Sequence, residues 1–137
     1  MEPIDWLAVV LSANLAIAVG LVWYGPLFGG APLLGRVTGD DGQAKRSPVG
    51  GMLGAVLLQG LSALMLGHAY ARIGEATLDA KPWLYWMQAG GIAVAFIAPA
   101  LFISYARQRL PRREAAIDSG FWLVVYLATA TVFWALS

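Results

Sequence analysis

Residues 6–24 read WLAVVLSANLAIAVGLVWY and are followed by Gly25-Pro26. This stretch decides the fold. It contains no Asp, Glu, Lys or Arg, and Ser12 and Asn14 are its polar side chains short of the terminal Trp23 and Tyr24. An α-helix over 4–24, at about 1.5 Å per residue, is about 31 Å long, which matches the hydrocarbon core of a bilayer. Gly25-Pro26 is expected to end it, because proline disfavours the helical conformation of the residue before it.

Working outward, the same pattern recurs. All 17 charges of the 137-residue chain lie in the windows 1–5, 36–46, 72–81 and 107–118, leaving charge-free runs of 30, 25, 25 and 19 residues. A water-soluble domain needs charge on nearly every exposed face, so that class is excluded. Apolar runs of about 18 residues or more read as membrane-spanning helices. The expected fold is an all-α integral membrane protein, a single four-transmembrane-helix bundle over residues 1–137. Its helices are expected at about 4–24, 49–71, 83–106 and 111–136.

Within this frame, Leu27–Gly35 stays apolar but is broken by Gly and Pro, and is expected at the membrane surface or folded back over the bundle. Arg72–Pro82 is expected as a short polar turn. Pro99 removes a backbone hydrogen bond and clashes with the carbonyl of Ala95, which predicts a helix kink. Pro111 suits the first position of the last helix. That helix would then carry Asp118 as its deepest charge.

The loop charges predict an orientation. Arg36, Lys45, Arg46, Arg107, Arg109, Arg112 and Arg113 fall on one side, against Arg72 and Lys81 on the other. The positive-inside rule places the first group in the cytoplasm and both termini outside it. Trp6, Tyr70, Trp83, Tyr85, Trp86 and Trp134 then mark the outer boundary, and Trp23, Tyr24, Tyr105 and Trp122 the inner one. The acidic start of the chain predicts a retained first helix rather than a cleavable signal peptide. A bacterial inner membrane is the expected location.

Several function classes are disfavoured. A net charge of +1 with no basic face implies no nucleic-acid partner. Cysteine is absent and His68 is the single histidine, so no metal site and no thiol chemistry are expected. No catalytic residues, no cofactor and no enzymatic activity are expected, because there is no nucleophile–base pair or phosphate-binding glycine loop.

The polar side chains in the spans carry what remains. Asn14 and Gln59 fall near the midplane at matching depth, and an amide hydrogen bond between them would hold two helices in register. Their functional reading is a polar step in a solute or ion path. Glu114 and Asp118 lie one turn apart on one helix face. Charge pairing with Arg107, Arg109, Arg112 and Arg113 is the expected arrangement there, and the same arginines suit anionic lipid headgroups on the cytoplasmic side. His68 reads as an interfacial side chain. Ser12, Ala16 and Gly20, then Gly50 and Gly54, then Gly91 and Ala95, form small-residue stripes for close helix approach.

The most distinctive stretch is Gly20-Leu21-Val22-Trp23-Tyr24-Gly25-Pro26-Leu27-Phe28-Gly29. It resembles the G-x-x-W-Y-x-P-x-x-F-G-like signature of a family of small bacterial membrane proteins, domain of unknown function 1761. Phe28 follows Pro26 by two residues, a small departure in spacing, and Pro32-Leu33-Leu34 stands where a Trp is usual. Ile117-Asp118-Ser119-Gly120-Phe121 is similar to that family's pattern at the start of its last helix. The resemblance covers most of the chain and implies a four-helix inner-membrane protein without transferring catalytic residues. From the residues themselves, Trp23 and Tyr24 are expected to anchor the helix at the interface, Gly25-Pro26 to turn the chain, and Leu27 and Phe28 to dip toward the apolar layer. A re-entrant element lining a cavity is the functional alternative.

Two functions are expected from this reading. One is a non-enzymatic interaction or accessory membrane protein, packing with lipid, with itself as a homo-oligomer, or with a membrane complex. The other is an oligomeric small-solute or ion transporter or channel built around Asn14, Gln59, residues 25–35 and the Pro99 kink.

Overall fold

The computed structural model describes residues 3–28 and 48–137, with side chains from residue 51 onward in the second stretch. Among the described residues the chain is helical and has no strand. Helix α1 is Trp6–Val22, α2 is Pro48–Ile73, α3 is Glu75–Ala80, α4 is Leu84–Ile92, α5 is Ala98–Arg107 and α6 is Arg112–Leu136. Four helical stretches are long and apolar enough to cross a membrane: Trp6–Leu27, Gly51–Ile73, Leu84–Arg107 and Arg112–Leu136. The protein is therefore organised as a multi-pass membrane protein. We call the end that holds both termini the terminal end, and the end that holds residues 107–112 the basic end.

Local chemistry sets the helix limits. Asp5 caps α1, its Oδ1 accepting the Ala8 N–H at 3.0 Å. The first span does not stop at Gly25-Pro26. It runs on through a π-helical turn, Trp23–Leu27, with Pro26 inside it. Proline has no N–H to give to a carbonyl one α-turn back, and the wider turn passes the next bond to Phe28, whose N–H reaches the Trp23 carbonyl at 2.9 Å. The expected chain reversal at Gly25-Pro26 is thus corrected: the proline widens the helix by one turn.

A second π-helical turn, Ala93–Ile97, joins α4 to α5. It lies just before Pro99 and includes Ala95, whose carbonyl a regular turn would drive against the proline ring. The sequence predicts a kink at Pro99; the structure shows a π-helical turn in the residues ahead of it.

Gly74, at φ +87°, ends α2 in a conformation that side-chain-bearing residues rarely adopt. The expected polar turn after it contains the short helix α3, whose Leu78 is buried. Between α5 and α6, Leu110 N–H bonds the Tyr105 carbonyl at 2.9 Å and Arg109 N–H bonds the Ala106 carbonyl at 3.1 Å. This is a Schellman closure with Arg109, at φ +59°, where glycine is usual. Pro111, expected as the first helical residue, is instead the N-cap, and α6 begins one residue later at Arg112.

The spans pack in the spatial order second, first, fourth, third. The first span lies along the second and the fourth, and the fourth lies along the third. The second span meets the third and fourth only slightly, at the terminal end where Tyr70 contacts Tyr85 and Phe133. Small residues make the central contact: Ala8, Ser12, Ala16 and Gly20 form the buried stripe of α1. The other two stripes behave differently. Gly91 and Ala95 are exposed, and a methyl group at Gly54 would meet nothing within 4 Å among the described residues.

Candidate functional site

The side chains converge on Asp118. It lies six residues into α6, about 9 Å along the axis from Arg112. Its Oδ1 accepts the Tyr24 hydroxyl at 2.5 Å, and its Oδ2 accepts the Tyr105 hydroxyl. Three spans are joined at this one carboxylate: the first through Tyr24, the third through Tyr105 and the fourth through Asp118. Tyr24 is buried, while Tyr105 and Asp118 are half-buried.

The π-helical turn positions the first-span side of the site. Trp23 Nε1–H donates to the Ile117 carbonyl at 3.1 Å. Its ring edge lies over Gly120, where an added Cβ would come within 2.9 Å of Trp23 Cζ2. Only glycine leaves room for the indole there. Tyr24 packs on Phe121 with centroids 5.2 Å apart, and Trp23 packs on Phe28 at 4.9 Å. Gly20 faces the same Phe121 ring. The stretch 20–28 is therefore fitted onto 117–121, side chain by side chain.

The expected charge network is rearranged. Arg113 pairs with Glu114 at 3.9 Å, with the arginine side chain 76% exposed. Asp118 bonds instead to the two phenols, because the first and third spans close on its face of α6 while Arg107, Arg109 and Arg112 stay exposed at the basic end. Arg36, Lys45 and Arg46 lie outside the described residues, as does the stretch 29–35. Among the described residues Ser119 Oγ, next to the site, is buried and finds no hydrogen-bond partner.

The expected Asn14–Gln59 bond is not formed. Asn14 is exposed and donates to the Val10 carbonyl of its own helix at 2.8 Å, while Gln59 is buried. The two sit at similar depth, since Gly60 approaches Ala13, but Asn14 points away from α2. His68 is half-buried near the terminal end. Among the described residues no group of three His, Cys, Asp or Glu could hold a metal.

Sequence reasoning named Tyr24 and Asp118 but set Tyr105 only in an interfacial belt and did not single out Gly120. One signal was available. Tyr24, Tyr105 and Asp118 all fall near the same end of their spans, so a comparison of depths would have grouped them.

A family model described as "Protein of unknown function (DUF1761)" matches residues 7–134. The chain belongs to this family. The matched region takes in the second and third spans, all but the outermost residues of the first and fourth, and both halves of the Asp118 site. Of the two stretches that carry the resemblance in the sequence, 20–29 and 117–121, the described part of the first, 20–28, contacts the second. No curated protein and no solved structure matches the chain.

Proposed function

We propose that this DUF1761 protein is a non-enzymatic interaction or accessory protein of a bacterial inner membrane, with both termini outside the cytoplasm. The observation that carries the reading is the outward surface of the second span. Leu53, Leu57, Leu58, Leu61 and Met65 are each more than half exposed, and among the described residues only one side of that span is packed lengthwise. A face of this kind suits lipid, a second copy or another membrane protein. The arginines at 107, 109, 112 and 113 support the orientation. Each contributes about 1 kcal/mol toward an anionic leaflet when near its surface.

The test is purification from native membranes under mild detergent, followed by native mass spectrometry and crosslinking from single cysteines at Leu57 or Leu61. Stable assemblies crosslinked through this face are expected. A monomer that forms no crosslink through it and moves a solute in vesicles would overturn the reading. Orientation is tested separately by a C-terminal reporter, expected to be active only outside the cytoplasm.

A transporter or channel is the second reading, and Asp118 favours it. An ionisable residue within a membrane span is a functional candidate by its solvation cost alone. Asn14 does not contribute to this reading, because its amide is turned to the outer surface.

A further inference from the structure

The geometry points to Asp118, flanked by Tyr24 and Tyr105, as a binding site for an organic ammonium group. The inference concerns binding alone and rests on neither reading above. An ionised carboxylate is an acceptor with about four lone-pair positions. The two phenols take one on each oxygen, which leaves acceptor capacity on both. Among the described residues no cationic side chain is paired with Asp118; the neighbouring Arg113 pairs with Glu114. Among those residues the carboxylate is thus hydrogen-bonded but meets no cation, inside an apolar span where an unneutralised charge is costly.

The surroundings select the kind of cation. Tyr24 and Tyr105 reach the carboxylate through their hydroxyls, Phe121 packs on the Tyr24 ring and Trp23 bonds the residue before Asp118, so the neighbourhood is aromatic, and aromatic rings attract ammonium groups. A divalent metal needs more oxygen or nitrogen ligands than one carboxylate and two protonated phenols provide. An anion meets like charge. The other charged groups near this face are Glu114, one turn toward the basic end on the same helix, and the exposed Arg113 paired to it. From the first span the titratable group is Tyr24, and from the third it is Tyr105, with Arg107 two residues beyond and exposed. The first and third spans pack on the fourth from separate sides and not along each other. At this level the two phenols bridge from the first and third spans to the fourth.

Ammonium chemistry has two sources, a soluble organic cation or an aminophospholipid headgroup. The full chain is placed in nanodiscs of pure phosphatidylglycerol, which contains no amine, and titrated calorimetrically with choline. Its neutral isostere 3,3-dimethylbutanol is run in parallel. A second series adds phosphatidylethanolamine to the nanodisc and measures its retention on the purified protein. Saturable choline binding assigns a soluble cation, and selective retention of phosphatidylethanolamine assigns the headgroup; either supports the site. Asp118→Asn is expected to weaken binding about tenfold or more, and Tyr105→Phe to weaken it several-fold. Helical circular dichroism checks the fold, and Tyr105→Phe decides the matter if Asp118→Asn does not fold. The inference is overturned if neither ammonium form binds saturably. It is equally overturned if the neutral isostere binds as tightly, or if the folded variants bind like the wild type.

Discussion

Tyrosine hydroxyls fasten the bundle at both ends, and they do so in different ways. At the terminal end Tyr70 donates to the backbone carbonyl of Tyr85 at 2.9 Å, inside an aromatic group with Phe133. Trp86 and Trp134 stack beside it at 5.4 Å, and Trp86 Nε1–H donates to the Thr131 hydroxyl. At the basic end Tyr24 and Tyr105 donate to a carboxylate. A backbone carbonyl keeps its place and its charge whatever the side chains do. A carboxylate can be neutralised, replaced or bound by another group. The terminal end is built as a fixed joint, and the basic end as a joint whose strength depends on chemistry at one atom group.

Mutations can break this comparison. The largest effect is expected from Asp118→Ala, which strips both phenols of their acceptor at once. A hydrogen bond to a charged group contributes about 1.5–3 kcal/mol, so a loss of about 2–4 kcal/mol is expected in a reversible detergent unfolding titration. A loss below that of Tyr70→Phe would remove the distinction between the ends. Gly120→Ala follows. Its new Cβ would press on the Trp23 ring, which is held by its bond to Ile117, and overpacking of this kind costs about 1–3 kcal/mol. Normal stability together with unchanged Trp23 emission, measured with the other tryptophans replaced, would contradict the fitted contact.

Gly67 offers the matching test at the terminal end. A Cβ there would meet Phe133 at 3.0 Å and Ile4 at 3.2 Å. Gly67→Ala is expected to lower stability by about 1 kcal/mol without altering ligand binding at Asp118. Tyr70→Phe removes one neutral hydrogen bond and should cost about 0.5–1.5 kcal/mol in the same titration. The smallest effect is a gain. Arg109→Gly relieves a left-handed backbone that disfavours side chains, and should raise stability by about 0.5–1 kcal/mol while leaving the Asp118 site intact.

The spans were legible because exclusion of charge is a property each helix carries on its own. Residues 6–24, 83–106 and 119–136 carry no charge and announce themselves without reference to their neighbours. Features that depend on backbone detail were less visible. Pro26 reads as a helix stop in a linear sequence, yet a π-helical turn absorbs it. Residues 75–80 carry two acids and read as loop, yet they fold into a short helix that buries Leu78.

The candidate site was legible only in pieces. Asp118 stands out as the deepest charge, but the nearby arginines are its obvious partners by sequence distance. Tyr24 is 94 residues away and Tyr105 is 13. The choice among them depends on which helices adjoin and how each is rotated. Asn14 shows the same limit from the other side. Its depth matches that of Gln59, but its direction about the helix axis turns it to the outer surface.

By itself, the sequence determined four membrane-length helices, their limits to within a few residues, and the family to which the chain belongs. The solvation cost of charge in an apolar layer is large and local, so composition reports it directly. Tertiary structure alone decided the order second, first, fourth, third, and with it the meeting of 20–28 with 117–121. That order rests on packing of small residues and aromatic rings, where contacts between helices, rather than the content of any one helix, set the free energy.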